Sequence, residues 1–300
     1  MELWILLSIA AAFFQTLRFM LQKQLSQTKL TATGATLARF LYSAPLVVVL
    51  AAFYLQVNDR SFAAPVGQFW LYGALGGAAQ VLATICTVKT FAYRNFAVGV
   101  TFKKTEVLQT AIIGLVLFGE AVSVMGGVAM IVGFAGVLVL SGALGRDTPW
   151  RESLSSPATL LGLSAGALFG VSAVSYRAAS LMIDAADPFE RSFITLAAVT
   201  SMQLIGMLIW LAWRDRVEIG RVIGQWRTAG FVGLTSIAGS YCWFTAFTLQ
   251  NAAYVKAVGQ IELIFSILAT MLFFREKITL REYIGIGFIS LSVIGLVVWV

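Results

Sequence analysis

The 300-residue chain contains no histidine, two cysteines and five prolines, and only 12% of its residues are charged. Without histidine there is no Ser-His-Asp or Cys-His nucleophile, no imidazole acid or base, and no His-ligated metal. Cys86 and Cys242 form neither a CxxC motif nor a disulfide framework and read as small packing residues. No Walker A pattern is present, so ATP does not act directly. The shortage of charge is the most informative absence. A soluble domain carries about 25% charged residues, whereas this chain is 59% hydrophobic. It covers that much apolar surface only if most of it faces lipid, as in a multi-pass membrane protein. The net charge of +7 sits in short loops between apolar runs, which fits membrane orientation. No basic patch with interleaved aromatics speaks for nucleic acid. No cofactor-binding or metal-binding constellation is expected.

A membrane span needs about 20 mostly apolar residues. Ten segments qualify: 2–22, 33–56, 68–91, 96–118, 122–144, 157–182, 188–212, 228–250, 252–274 and 279–300. The first lacks a positive n-region and reads as a retained helix rather than a cleaved leader. Helix starts are marked chemically: Ser156-Pro157, Asp187-Pro188 with Glu190 in capping-box position, and Thr279 with Glu282. Between spans seven and eight, "WRDRVEIGRVIGQWR" predicts a loop with a short interfacial helix.

Shifted by 156, the chain aligns with itself. Ser8 meets Ser164, Phe13 meets Phe169, Cys86 meets Cys242, Asn95 meets Asn251, Glu106 meets Glu262 and Glu120 meets Glu276. A four-residue gap brings Arg39 onto Arg191, and a three-residue insertion brings Gly126 onto Gly285. The chain therefore divides into repeats at 1–145 and 157–300, joined by a linker, 146–156. Five helices per repeat is an odd number, so the second repeat enters the membrane inverted. Loop charges agree, because their bias reverses between the halves. Lys23, Lys29 and Arg94 lie in loops 1–2 and 3–4, whereas Arg214, Arg216, Arg221, Arg227, Arg275, Lys277 and Arg281 lie in loops 7–8 and 9–10. The expected fold is all-α: ten transmembrane helices as two inverted five-helix repeats. Inverted repeats are a transporter signature, with the site near the midplane. The positive-inside rule puts both termini on the non-cytoplasmic side.

Some polar groups lie where lipid should be. Glu106 and Glu262 each fall about ten residues, roughly 15 Å, into their helix. A carboxylate there costs about 3 kcal/mol on insertion scales. Facing a cavity, it is expected to exchange protons with water; the bland reading is an acid or ion pair holding two helices together. Lys103 shares the face of Glu106 on a continuous helix and is expected to pair with it or to meet an anionic substrate group. Lys104 points elsewhere and, like Lys256, is expected to snorkel. Arg39 and Arg191 read as interfacial anchors. On span three, Gln80, Thr84 and Thr87 share one face, matched by Ser236, Ser240 and Trp243 on span eight. This stripe reads as a cavity wall or as polar helix packing. Gln15, with Arg18, is placed to contribute from span one. Gly162, Gly166 and Gly170 form a packing ridge.

Two segments carry a family resemblance: "TFAYRNFAVGVTFKKTEVLQTAIIGLVLFGE" and "AFTLQNAAYVKAVGQIELIFSILATMLFFRE". Each has a small-aromatic helix end, an Asn/Ala turn, a Glu, and a second Glu fourteen residues on. The chain resembles EamA-type drug/metabolite transporters, in two copies covering nearly its whole length. The resemblance implies a central cavity lined by helices 1–4 and 6–9, movement of small metabolites, often export, and termini on the cytoplasmic side, opposite to the loop charges. Family members commonly place Pro after the first Glu; Val107 and Leu263 stand there instead. The reading is a secondary active transporter, not an enzyme, in the lipid bilayer of a bacterial inner membrane. It would be monomeric, with protons as the candidate coupling ion, exporting small organic metabolites such as amino acids. Lysines on spans four and nine favour an organic anion as the alternative. An intramembrane lipid enzyme would want clustered acids or histidine, and a non-transporting receptor would bind without flux.

Overall fold

The computed structural model describes residues 2–93, 102–140, 156–265, 267, 268 and 280–299. Every regular element among them is helical: α1 (Leu3–Thr28), α2 (Ala32–Val57), α3 (Gln68–Thr90), α4 (Glu106–Phe118), α5 (Val124–Leu140), α6 (Pro157–Leu181), α7 (Pro188–Arg214), α8 (Arg216–Gly224), α9 (Trp226–Leu249), α10 (Ala252–Val258) and α11 (Leu280–Trp299). α1, α2, α3, α6 and α7 are long and apolar enough to cross a membrane, and α4, α5 and α11 are shorter apolar helices. Residues Val49, Phe53, Leu71, Ile209 and Phe231 stand exposed on the outer faces. Such a continuous apolar exterior suits a bilayer, where helices satisfy their own backbone groups. The anticipated features at Arg94, Asn95, Arg275, Glu276, Lys277 and Thr279 lie outside the described residues, as does the linker up to residue 155.

Local chemistry sets the boundaries. Ser156 Oγ accepts from Thr159 N at 3.2 Å, and Asp187 Oδ1 accepts from Phe189 N at 2.9 Å, with Pro157 and Pro188 in the first turn. Glu190 does not close the expected capping box; its carboxylate lies 3.8 Å from Arg60 in the α2–α3 connection. The segment after α7 forms the short α8, capped by Asp215, with Trp213, Val217 and Trp226 exposed.

Two spans expected to be continuous are interrupted. In the fourth, Lys104 and Thr105 form a turn, and α4 proper starts at Glu106. In the ninth, α10 ends at Val258, Gly259–Ile261 is a 3₁₀ turn, and the helix resumes at Glu262. Both carboxylates therefore sit where a helix restarts. No proline is involved. Gly259 lies so close to Trp243 that a Cβ would meet the indole Cη2 at 2.3 Å, so the ring packs against bare backbone at the 3₁₀ turn.

The two halves are interleaved. α1 packs on α9 and α3 on α6, and these two contacts exchange when the halves are swapped. α2 packs on α7 and α5 on α11, each pairing equivalent elements, and α4 packs on α10, joining parts of the equivalent fourth and ninth spans. α4 lies on the glycine ridge of α6: a Cβ at Gly166 would come within 2.9 Å of Lys103 O, and one at Gly170 within 3.1 Å of Thr110 Oγ1. That ridge fixes how deeply the Lys103–Glu106 turn enters the bundle. α2 and α7 start at Ala32 and Pro188, at the same shift that relates Glu106 to Glu262. No gap is needed there, and Arg39 corresponds to Thr195 rather than to Arg191.

Candidate functional site at the centre of the bundle

Glu262 receives donors from the other half. Gln15 Nε2 of α1 donates to its Oε2, and Lys104 Nζ, from the turn before α4, donates to its Oε1. Lys103 Nζ lies 3.8 Å from Oε1. Glu106 is served across the same interface: Lys256 Nζ of α10 lies 3.7 Å from its Oε1. Its Oε2 has no hydrogen-bond partner among the described residues. All these side chains are buried. A buried charge costs several kcal/mol unless it is paired, and each pair here joins the first half to the second.

These contacts revise several expectations. Lys103 turns to Glu262 rather than to Glu106. Lys104 and Lys256 do not snorkel; both point inward to carboxylates. Aromatic faces complete their surroundings. Lys256 Nζ is 4.8 Å from the Trp243 ring centroid and 5.4 Å from that of Phe169, and Lys103 Nζ is 4.5 Å from Phe19 and 5.1 Å from Phe169. Gln15 acts as a bridge: while donating to Glu262, its Oε1 accepts from Trp243 Nε1 at 3.2 Å.

The polar stripe divides. Gln80 Oε1 accepts from Tyr176 OH at 3.1 Å and from Gln203 Nε2 at 3.0 Å. Ser240 Oγ accepts from Arg39 Nη2 at 3.0 Å. Gln80, Ser240, Trp243 and Gln15 line one small cavity of about 20 Å³, together with Arg18, Arg39, Phe169, Tyr176 and Lys256. Thr84 and Thr87 instead return their hydroxyls to carbonyls of their own helix, Gln80 O and Ala83 O, each at 2.8 Å. Ser236 is buried away from the cavity, its Oγ unpartnered among the described residues. None of these three lines the cavity. The cavity holds about one water, since a site needs roughly 10–15 Å³ for one, so the conformation is closed around its centre.

Arg39 corrects the anchor reading most strongly. It is buried at 2% exposure, faces the cavity, and has no carboxylate within 4 Å among the described residues. Arg191 does behave as an end-of-helix group, donating through Nε to Ala185 O at 2.5 Å. The misplaced gap concealed the difference; Arg39's depth, eight residues into an apolar helix, was the available signal.

Contacts between halves also lie toward both ends of the bundle. At one end, Glu218 of α8 accepts from Thr31 N at 2.6 Å and from Thr31 Oγ1 at 2.8 Å. At the other, Tyr54 OH donates to Asp187 at 2.5 Å, and Arg177 joins Glu120 at 2.7 Å to the carbonyls of Phe247 and Gln250. A larger groove of about 440 Å³ lies between α3 and α7, but its lining, including Gly73, Val81, Met202 and Trp210, carries no charged group. It reads as a lipid-facing surface and not as the polar site.

Comparison with known proteins supplies the family. No curated protein matches the chain. One solved structure, titled only "Crystal structure of protein", has a TM-score of 0.62 at 15% identity, over 97% of this chain and 99% of the other. That likeness shows the fold alone. The sequence profile described as the EamA-like transporter family matches twice, over residues 2–142 and 156–298. The protein is therefore an integral multi-pass membrane protein of transporter type, and it belongs to the EamA-like transporter family.

Proposed function

We propose that the protein is a secondary active transporter of small organic metabolites, working in the export direction. Its ten spans, in two inverted five-helix repeats (1–145 and 157–300), would rock about the site formed by Gln15, Gln80, Lys103, Glu106, Ser240, Trp243 and Glu262. The observation that carries this reading is the pairing across the repeat interface, Glu262 with Lys103 and Lys104, and Glu106 with Lys256. Charged groups that the opposite half helps to neutralise are suited to alternating access, because moving the halves remakes the pairs. The helix interruptions at both carboxylates support the same reading, since mid-membrane breaks tend to line a cavity.

Proton coupling belongs to this proposal. Glu106 faces Lys256 from α10 and leaves Oε2 free of partners among the described residues, so it is the acid placed to accept a proton as the pairs part. Reconstituted into proteoliposomes with an imposed pH gradient and offered amino acids and organic acids, the protein is expected to move at least one class. Glu106→Gln is expected to fold normally and to lose the pH dependence of flux, and Glu262→Gln to lower flux at every pH. Unchanged gradient dependence in both single variants and in the double variant would remove proton coupling. Absence of flux for every class, beside an active control transporter, would remove the transporter reading.

A further inference from the structure

The charges around the centre do not balance. Arg18, Arg39, Lys103, Lys104 and Lys256 are all buried there, against Glu106 and Glu262. The lysines have carboxylates; the arginines have none within 4 Å among the described residues. Among the described residues, Arg39 makes one side-chain hydrogen bond, from Nη2 to Ser240 Oγ, beside a ring contact with Phe40, and its Nη1 has no hydrogen-bond partner. Arg18 Nη2 makes a long contact of 3.5 Å to Gln15 Oε1, and its Nε has no hydrogen-bond partner among the described residues. Both guanidiniums line the same cavity. A buried guanidinium with open donors is costly, and its planar fork matches a carboxylate or phosphate better than any other ligand group.

We propose that Arg18 and Arg39 form the anion-binding end of the substrate site, so that the transported molecule is a small organic acid whose acidic group enters between them. Once the halves part and the cavity widens, its carbon skeleton would lie against Phe169, Trp243 and Phe247, which also line the cavity. A substrate ammonium group is disfavoured. Both central carboxylates already hold lysines, and a further cation would join an excess of positive charge. The inference rests on the transporter reading for its physiological meaning, but the binding it claims is testable separately.

Matched probes separate the two. Pyruvate and alanine, and phenylpyruvate and phenylalanine, differ in the ammonium group while sharing a carboxylate and skeleton; pyruvamide removes the carboxylate. In proteoliposomes the two keto acids are expected to be moved at least tenfold faster than the amino acids, and pyruvamide not at all. Arg39→Gln and Arg18→Gln are expected to lower keto-acid flux at least tenfold, and Arg39→Lys to retain part of it. Thermal protection of the detergent-solubilised full chain gives a second readout: the keto acids raise the melting temperature of the wild type but not of Arg39→Gln. If an arginine variant does not fold, the wild-type rank order across the five probes decides alone. Preference for the amino acids, or equal treatment of pyruvamide, overturns the proposal and leaves the transporter reading standing. Protection without flux overturns the transporter reading and leaves the anion site standing. Neither protection nor flux by any acid overturns both.

Discussion

Gln15 touches both sides of the centre, donating to Glu262 and accepting from Trp243. Replacing it with leucine keeps the volume and removes both bonds. The cost should be about 1–3 kcal/mol, because a buried acceptor loses a donor. Gln15→Leu is expected to lower the melting temperature measurably and to reduce flux, whereas Thr84→Val, which removes only a bond to its own helix, should leave flux near wild type. The contrast compares a side chain that touches the central charges with one that bonds only its own helix. Lys103, Glu106 and Glu262 were legible in the sequence because a charge inside an apolar run has few explanations. Their partners were not. The helical wheel assigns faces only on an unbroken helix, and the turn at Lys104 and Thr105 removes that premise. Which lysine meets which acid is decided across the interface between halves, and no local spacing encodes it.

At the scale of elements, the glycines at the two interruptions matter most. Gly259→Ala places a methyl group within 2.3 Å of Trp243, close enough that the indole must move. The variant is expected to express and insert but to transport poorly, and Trp243→Phe in the same chain should restore part of the activity by removing the crowding atoms. Radiolabelled uptake by the single and double variants checks this; equal loss in both would mean that the crowding is not the cause. Gly166→Val, against Lys103 O at 2.9 Å, should displace the Lys103–Glu106 turn and lower both stability and flux. Helix starts at α6 and α7 were readable from Ser-Pro and Asp-Pro signals, which act within one turn. The interruption in the ninth span had no proline to announce it. It rests on a tryptophan from another helix pressed against a glycine, a contact that forms only after the helices pack.

Across the whole molecule, the contacts between halves toward the two ends of the bundle are expected to act as two thin seals. Thr31–Glu218 holds one end, and Tyr54–Asp187 with Arg177–Glu120 holds the other. Weakening either should bias the population toward opening at that end, since a charge-assisted hydrogen bond contributes about 1.5–3 kcal/mol. Single-cysteine variants at Ser240, in a background lacking Cys86 and Cys242, provide the readout. Glu218→Gln is expected to speed labelling by an impermeant thiol reagent added from one side of the membrane, and Asp187→Asn from the other. Faster labelling from the same side in both backgrounds would contradict two separate seals. The duplication was visible in the sequence, while the interleaving of α1 with α9 and α3 with α6 was not, because the repeat relates equivalent residues and says nothing about which surfaces meet.

The exchange of charge partners between halves also governs how the protein is made. When the N-terminal half leaves the ribosome, it carries Arg18, Arg39, Lys103 and Lys104 into the hydrocarbon with Glu106 as its central acid, and the counter-charge at Glu262 is still untranslated. That nascent half has to be sheltered, by the insertion machinery or by delayed lateral release, until the remainder of the chain arrives. Expressed as two separate polypeptides, the halves should be degraded singly and persist only when synthesised together.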